Sequence, residues 1–146
     1  MASWAEFEAD LPKFAARVRK LMTSRKHLTM ATLRKDGSPR ISGTEIKIAG
    51  GQLTIGSMTN SVKAMDLRRD PRVAIHGPTH DPTKSGGWRG EAKIAGRAIE
   101  VSSGHGGHAF RIDIHEVAIT GLNKTRDGLV IESWSVARGY RLGIRS

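Results

Sequence analysis

The chain has 146 residues, 38% of them apolar, and it is strongly basic, with 24 lysines and arginines against 14 acidic residues and a net charge of +10. It contains no cysteine, which excludes disulfides and thiolate metal sites. Its apolar runs are too short for a membrane span, and Trp4, Glu6 and Glu8 stand where a signal peptide would be basic and then apolar. We therefore expect one cytoplasmic domain over residues 1–146, without membrane insertion.

Positive charge is concentrated in the first third of the chain. Between Arg17 and Arg40 there are eight basic residues and one acid, Asp36, which gives a local net charge of +7. Such a segment attracts phosphates, nucleic acid or an anionic cofactor. It is equally compatible with a solvated basic face that has no partner, so charge alone does not choose between these interpretations.

The N-terminal segment has the pattern of an amphipathic helix. Its large apolar residues recur at spacings of three and four, and Ser3 with Glu6 fits a capping box. Because Pro12 is incompatible with an uninterrupted helix, we expect a kink there or a second helix start with Asp10 as N-cap. The apolar stripe predicts core packing, and it consists of Trp4, Phe7, Leu11, Phe14, Val18 and Leu21.

Most of the remaining chain has the pattern of short strands joined by tight turns. Asp36-Gly37, Gly50-Gly51 and Asp127-Gly128 supply hairpin turns, which implies antiparallel pairing. One helix, Ser61 to Arg69, interrupts the strands, and a change of apolar face near Glu116 predicts a bulge or bend. The pattern predicts a mainly β antiparallel barrel. The seven strand candidates are Leu28 to Leu33, Pro39 to Ile48, Gln52 to Ser57, Arg72 to Gly77, Gly90 to Val101, His108 to Thr120 and Leu129 to Val136.

The junction between the third strand and the helix has the composition of a phosphate site. In Ser57 to Lys63, SMTNSVK, short hydroxyl side chains precede a helix whose first turn carries a lysine. Free backbone N–H groups, hydroxyls and an ammonium are the donors that a phosphate needs. The alternative is an ordinary N-cap, Asn60 or Ser61, followed by a solvated lysine. The residues alone leave both interpretations open.

This region resembles a known family. The segments ATLRKDGSPRISG, GGQLTIGSM and NSVKAMDLRRDPRVAIH are similar to the split β-barrel family of flavin and deazaflavin proteins, the pyridoxamine-phosphate-oxidase-like superfamily. The similarity runs from about Arg17 to Val101 and from Phe110 to Trp134. It implies a six- or seven-stranded antiparallel split β-barrel with an N-terminal helix and a short helix between strands. The most specific motif consists of Lys63, Asp66, Leu67, Arg68, Asp70, Pro71 and Arg72.

The resemblance also implies a cofactor site shared between two subunits. Lys63 would bind the cofactor phosphate, the segment Ser57 to Ser61 would contact the phosphate or ribityl chain, and Ile41 to Glu45 would line the ring system. A homodimer is implied because a second subunit usually completes the ring site. Trp134 and the basic tail are candidates to reach that cleft, although Trp134 also fits a packing role. The candidate cofactor-binding residues are Lys63, Ser57, Met58, Thr59, Asn60, Ser61, Ile41, Ser42, Gly43 and Thr44, and the tail residues are Arg138, Arg141 and Arg145.

Members of the family divide among three cofactors. The deazaflavin F-420, with a phosphodiester and an anionic polyglutamate tail, is favoured here by the high positive charge; FMN is next and haem is third. The implied activity is hydride transfer between the bound cofactor and a small conjugated acceptor, with no catalytic side chain identified. The alternatives are a non-catalytic flavin, deazaflavin or haem binder, and a nucleic-acid-binding β-barrel, which the scarcity of free aromatic residues disfavours.

The chain departs from the family pattern at Ser102 to His108, SSGHGGH, where relatives usually have a helical segment. His105 and His108 stand three residues apart, as some metal ligands do, but no third ligand is near in sequence. We expect them to be solvated loop residues, and His76 and His115 to be structural. No metal site is predicted.

Overall fold

The computed structural model describes residues 1–104 and 106–145, and it is mainly β. The helices are α1 (Trp4–Asp10), α2 (Pro12–Met22) and α3 (Val62–Arg69). The strands are β1 (Leu28–Leu33), β2 (Pro39–Thr44), β3 (Ile46–Ala49), β4 (Gln52–Ser57), β5 (Arg72–His76), β6 (Glu91–Val101), β7 (His108–Leu122), β8 (Leu129–Ser135) and β9 (Gly139–Arg145). Within residues 1–104 and 106–145, no helix combines the length and the apolar character needed to cross a membrane.

The N-terminal stripe forms two helices with separate starts. The predicted capping box is present, because the Ser3 hydroxyl accepts the Glu6 N–H at 3.1 Å and the Glu6 carboxylate accepts the Ser3 N–H at 3.1 Å. Pro12 starts α2, as expected, but the N-cap is Leu11, so the prediction of Asp10 was wrong. The Asp10 carboxylate instead accepts the indole N–H of Trp134 at 2.7 Å, which ties the helix pair to β8.

The strands form one antiparallel sheet whose main path is β2-β1-β5-β6-β7-β4-β3, with β8 beside β7 and β9 beside β8. The predicted strand Pro39 to Ile48 is divided at Glu45, since β2 pairs with β1 whereas β3 pairs with β4. The two ends of the path therefore follow each other in the chain at Glu45. The sheet curls into an antiparallel split barrel that is not closed by hydrogen bonds between β2 and β3.

The prediction of six or seven strands was too low. One additional strand comes from the division at Glu45, and another is β9, which pairs with β8 from Ser135 opposite Gly139 to Leu129 opposite Arg145. The sequence does carry a signal for β9, because apolar Tyr140, Leu142 and Ile144 alternate with polar or small residues. The nine strands found in the described part of the chain keep the predicted antiparallel architecture.

The predicted bulge lies at His115. Ala95 is opposite Glu116 and Gly96 is opposite Ile114, so His115 has no partner residue on β6. A Cβ atom on Gly96 would lie 2.1 Å from the Asp113 carbonyl oxygen, and only glycine allows this approach of the two backbones. The bulge moves the apolar face of β7 from one side to the other.

The buried apolar side chains of the helices and the strands form one hydrophobic core. The helices contribute an aromatic cluster in which the Phe7 ring lies 5.2 Å from Trp4, 6.0 Å from Phe14 and 5.0 Å from Trp134, centroid to centroid. The predicted stripe is therefore core, and Trp134 packs rather than projecting from the surface. The strands and α3 contribute further core residues, which include Met30, Leu53, Ile55, Leu67, Ile75, Ile94, Phe110 and Ile112.

Candidate functional site

A cavity of about 710 Å³ lies where β2, β4 and the start of α3 meet, and we call it the α3 cavity. Its walls bring together residues from the two segments that the sequence analysis singled out. Segment 57–61 and helix α3 form one wall, and the end of β2 forms the other. Seven of the ten predicted residues line it, namely Lys63, Ser57, Met58, Thr59, Ser61, Gly43 and Thr44.

Three predicted residues do not line the cavity. Ile41 is 75% exposed on β2, and Ser42 points its hydroxyl into the protein, where that oxygen is buried and has no partner in the described part of the chain. Asn60 turns its backbone N–H away, toward His108. The sequence analysis missed further lining residues, and the glycine-rich run before His108 was the available signal for two of them. The missed residues are His27, Gly56, Gly106 and Gly107.

Lys63 is held in the cavity wall. Its ammonium group donates to the Gly43 carbonyl across the cavity at 2.7 Å. Burial lowers the pKa of Lys63, and the nearby Glu45 carboxylate acts in the opposite direction. A partly desolvated cation with one carbonyl partner retains donors for an anionic ligand. The side chain is therefore not the freely solvated lysine of the alternative interpretation.

The start of α3, where Ser61 and Lys63 line the same cavity, carries further donors. Ser61 is the N-cap, and its hydroxyl oxygen accepts the Ala64 N–H at 3.2 Å. Its carbonyl accepts the Met65 N–H. These bonds leave the N–H groups of Val62 and Lys63 without a protein acceptor among residues 1–104 and 106–145, as is usual at a helix start. The first turn of α3 thus has two free donors beside the lysine.

Ser57 adds an unsatisfied hydroxyl at the end of β4. Its Oγ is buried and makes no hydrogen bond to the residues that the structure describes, although Ser57 lines the cavity. A buried polar atom without a partner costs free energy. A ligand oxygen in the α3 cavity would satisfy it.

Asp66 fixes α3 against the strands. Its buried carboxylate accepts from the Thr32 hydroxyl at 2.7 Å, from Arg40 Nε at 2.7 Å and from Arg69 at 2.8 Å. Burial raises the pKa of Asp66, but the hydrogen bonds from Arg40, Thr32 and Arg69 outweigh burial, and the pKa lies below its ordinary value. This ionised carboxylate sets the position of Lys63, one turn earlier on the same helix.

A side chain at the start of β7 makes a hydrogen bond to the loop before α3. His108, at the first position of β7, accepts the Asn60 N–H on Nε2 at 3.1 Å, and its side chain is only 9% exposed. The expectation that His108 is a solvated loop residue was wrong, because its side chain packs between the loop and Glu100. His105 lies outside the described residues. His76 bonds the Gly77 carbonyl, in keeping with a structural role.

Ion pairs neutralise part of the basic segment from Arg17 to Arg40. Three of its members pair with acids from distant parts of the chain, in the pairs Arg17 with Glu132, Lys26 with Glu45 and Arg40 with Asp66. The tail arginines Arg138, Arg141 and Arg145 lie on or beside β9 and line a separate groove of about 350 Å³. Within one chain, the α3 cavity therefore receives its positive charge mainly from Lys63.

Comparison with known proteins extends these observations. The sequence matches the family described as pyridoxamine 5'-phosphate oxidase over residues 14–119. A search of curated proteins gives no match.

Among solved structures, PhzG from Burkholderia lata 383, in complex with tetrahydrophenazine-1-carboxylic acid, has a TM-score of 0.61 and 12% identity, and the alignment covers 95% of this chain and 88% of that one. A pyridoxamine 5'-phosphate oxidase-related, FMN binding protein from Nostoc punctiforme PCC 73102 has a TM-score of 0.61 and 14% identity, with 100% and 98% covered. A heme binding protein from Mycobacterium smegmatis has a TM-score of 0.56 and 14% identity, with 89% and 86% covered. At these identities the structures show the shared fold, whereas the sequence match spans most of the chain. The chain therefore belongs to the pyridoxamine 5'-phosphate oxidase family and has its split-barrel fold.

Proposed function

We propose that the α3 cavity binds the phosphate end of a flavin or deazaflavin, FMN or F-420, and that the protein is an oxidoreductase. The observation that carries the proposal is the set of hydrogen-bond donors around one cavity. The Lys63 ammonium has one carbonyl partner and donors to spare, the buried Ser57 hydroxyl has no partner among the described residues, and two N–H groups at the start of α3 have no protein acceptor there. A phosphate accepts hydrogen bonds from all three kinds of donor.

The cavity fits such a ligand in size and in chemistry. A volume of about 710 Å³ lies within the range of about 300–1,000 Å³ typical of small-molecule sites. The bound ring would supply hydride-transfer chemistry toward a small conjugated acceptor. Lys63 and Ser57 would bind its phosphate, and Gly43 and Thr44 would border the ribityl chain or ring. The chain's contribution is position and charge.

The choice between FMN and F-420 depends on charge. The net charge of +10 favours the polyanionic tail of F-420. Near the cavity, however, Lys26 is paired with Glu45, and one lysine is enough for a single phosphate. Because both cofactors offer a phosphate to the same residues, the phosphate site itself does not discriminate between them. Parallel titrations with FMN and F-420 would show which cofactor binds more tightly.

A homodimer is part of the proposal. Three apolar side chains near the cavity are exposed to solvent, with Ile41 at 75%, Met58 at 82% and Val62 at 56%. A second subunit that covers these three side chains, which we call the rim, would bury apolar surface. It would also enclose the flavin ring, which a single chain leaves exposed in this proposal. Sedimentation should give the mass of two chains, and a monomer at all concentrations would contradict this part of the proposal.

The test compares Lys63→Ala with a matched control. Loss of a charged hydrogen bond to phosphate should weaken FMN or F-420 binding by about 1–3 kcal/mol, measured by fluorescence titration. Lys13→Ala removes the same charge from an exposed position on α2 and should leave the affinity unchanged. Riboflavin, which lacks the phosphate, should bind wild type and Lys63→Ala equally.

Three results would overturn the assignment. The first is unchanged affinity for both phosphorylated cofactors in Lys63→Ala. The second is equal weakening in Lys63→Ala and Lys13→Ala, which would indicate a general charge effect. The third is a Soret band on haem titration without binding of either flavin, which would favour the haem-binding alternative.

A further inference from the structure

The hydrogen bonds of His108 assign the tautomer of its neutral imidazole. Nε2 accepts the Asn60 N–H at 3.1 Å, so this nitrogen carries no proton. In the neutral imidazole the proton is therefore on Nδ1, and Glu100 Oε2 accepts it at 3.1 Å. Arg68 Nη2 also lies 3.2 Å from Nδ1, but a protonated Nδ1 has no lone pair for this donor, so Arg68 bonds Glu100 instead. The Glu100 carboxylate in turn accepts hydrogen bonds from Arg68 Nε at 2.8 Å and from Arg68 Nη2 at 2.9 Å. The result is a chain of contacts from α3 through Glu100 and the imidazole to the backbone of the loop.

The loop that His108 holds forms part of the wall of the α3 cavity. Asn60 has a φ of 58°, in the left-handed region that few residues other than glycine occupy. Its two neighbours, Thr59 and Ser61, both line the cavity. A second contact from the same side supports the loop, because the Gly107 N–H donates to the Thr59 hydroxyl at 3.1 Å. The left-handed residue is thus fixed at the point where the chain turns from β4 into α3.

We infer that His108 is a positioning residue of the cofactor site. Its Nε2 lone pair fixes the Asn60 N–H, and this contact keeps the hydroxyls of Thr59 and Ser61 and the start of α3 aligned on the phosphate. Glu100 sets the tautomer by accepting the Nδ1 proton, and Arg68 fixes Glu100. The imidazole does not contact the ligand. This inference rests on the proposed function, since it names a residue that supports the phosphate site.

A purely space-filling role predicts a different outcome. If His108 only fills volume, an apolar side chain of similar size should serve as well as a polar one. If the lone pair on Nε2 matters, a replacement must offer an acceptor at that point. Glutamine places its amide oxygen near the position of Nε2, whereas leucine fills the space without an acceptor. The pair His108→Gln and His108→Leu therefore separates the two roles.

The experiment measures FMN and riboflavin affinity for wild type and both variants by fluorescence quenching. Wild type should prefer FMN, and His108→Leu should lose about tenfold or more of that preference, while riboflavin affinity stays unchanged. His108→Gln should retain most of the FMN preference. Equal behaviour of the two variants, or equal loss of FMN and riboflavin binding, would overturn the inference.

Two further results keep the test decisive. If wild type binds riboflavin as tightly as FMN, the phosphate site itself fails, and the inference fails with it; if wild type prefers FMN but His108→Leu keeps the preference, only the inference fails. Should His108→Leu not fold, nitrogen-15 NMR of wild type gives the tautomer directly. A proton on Nε2 in neutral His108 would overturn the inference, and a proton on Nδ1 is the expected result.

Discussion

Replacing Asp66 with asparagine should destabilise the fold far more than the same change at a neighbouring carboxylate. The Asp66 side chain is 2% exposed and accepts three hydrogen bonds, two of them from arginines. Asparagine has one acceptor oxygen, and its NH₂ group would face a donor. The variant therefore loses at least one charged hydrogen bond and leaves Arg40 and Arg69 without a counter-charge.

The magnitude follows from the number and burial of the partners. A hydrogen bond to a charged group contributes about 1.5–3 kcal/mol, and removing one member of a buried ion pair costs about 3–5 kcal/mol. The arginine side chains are 27% and 38% exposed, so water compensates part of this loss. We expect Asp66→Asn to cost about 2–4 kcal/mol, a decrease in Tm of about 6–12 °C for a domain of this size.

The assay is urea unfolding followed by tryptophan fluorescence, with Asp70→Asn as the matched control. Asp70 pairs with Arg72, whose side chain is 64% exposed, so Asp70→Asn should cost much less than Asp66→Asn at neutral pH. Because the pKa of Asp66 is lowered in the folded state, its contribution is present above its ordinary value of 3.8 and is lost as pH falls below it. The difference between wild type and Asp66→Asn should therefore shrink in acid. A cost under about 0.5 kcal/mol, or equal costs for the two variants, would refute the reasoning.

Three other predictions concern packing, backbone and acid stability. Phe7→Ala removes a ring that is 0% exposed and should cost about 3–5 kcal/mol in urea unfolding; a cost below about 1 kcal/mol would mean that the aromatic cluster repacks. Gly107→Ala places a Cβ 2.4 Å from the Ser57 carbonyl oxygen and should weaken both FMN binding and stability, whereas Gly104→Ala, also at positive φ, meets nothing within 4 Å, lies outside the cavity lining and should leave FMN binding unchanged. Bonds from Arg68 and His108 lower the pKa of Glu100 to about 2, and its contribution should be lost as pH falls from about 4.5 toward 2. The variant Glu100→Gln should therefore show a flatter loss of Tm in this window, and an identical pH profile would exclude the contribution.

Local patterns in the sequence were enough to predict the elements around the site. The capping box at Ser3, the hairpins, the helix from Ser61 and the lysine in its first turn all depend on residues a few positions apart, and the structure has each of them. In the turn between β7 and β8, however, the residue with positive φ is Arg126, not Asp127 or Gly128 as predicted. The bulge near Glu116 was visible because it changes which face of one strand is apolar. Single-domain organisation over residues 1–146, a cytoplasmic location and the cofactor roles of the site residues stay predictions.

Features that depend on distant partners were missed. The predicted strand is divided at Glu45 because the part before it, β2, pairs with β1, whereas the part after it, β3, pairs with β4. The residues around Glu45 give no local signal for this change of pairing partner. The part played by Asp66 depends on Arg40, a residue 26 positions earlier. His108 was assigned to solvent because its partner Asn60 lies 48 positions away. In each case the determining contact joins residues from separate elements.

At Glu45 the sheet is open, because β2 and β3 on either side of this residue do not pair with each other. This opening affects how the site can change in evolution. The α3 cavity lies at this opening, and much of its wall is main chain, including the Gly43 carbonyl and the N–H groups at the start of α3. Main-chain groups survive side-chain substitution as long as the backbone keeps its path. If the proposed function is right, ligand preference can then drift through a few exposed side chains at the rim, such as Met58 and Val62, while the proposed phosphate end of the site is inherited with the fold.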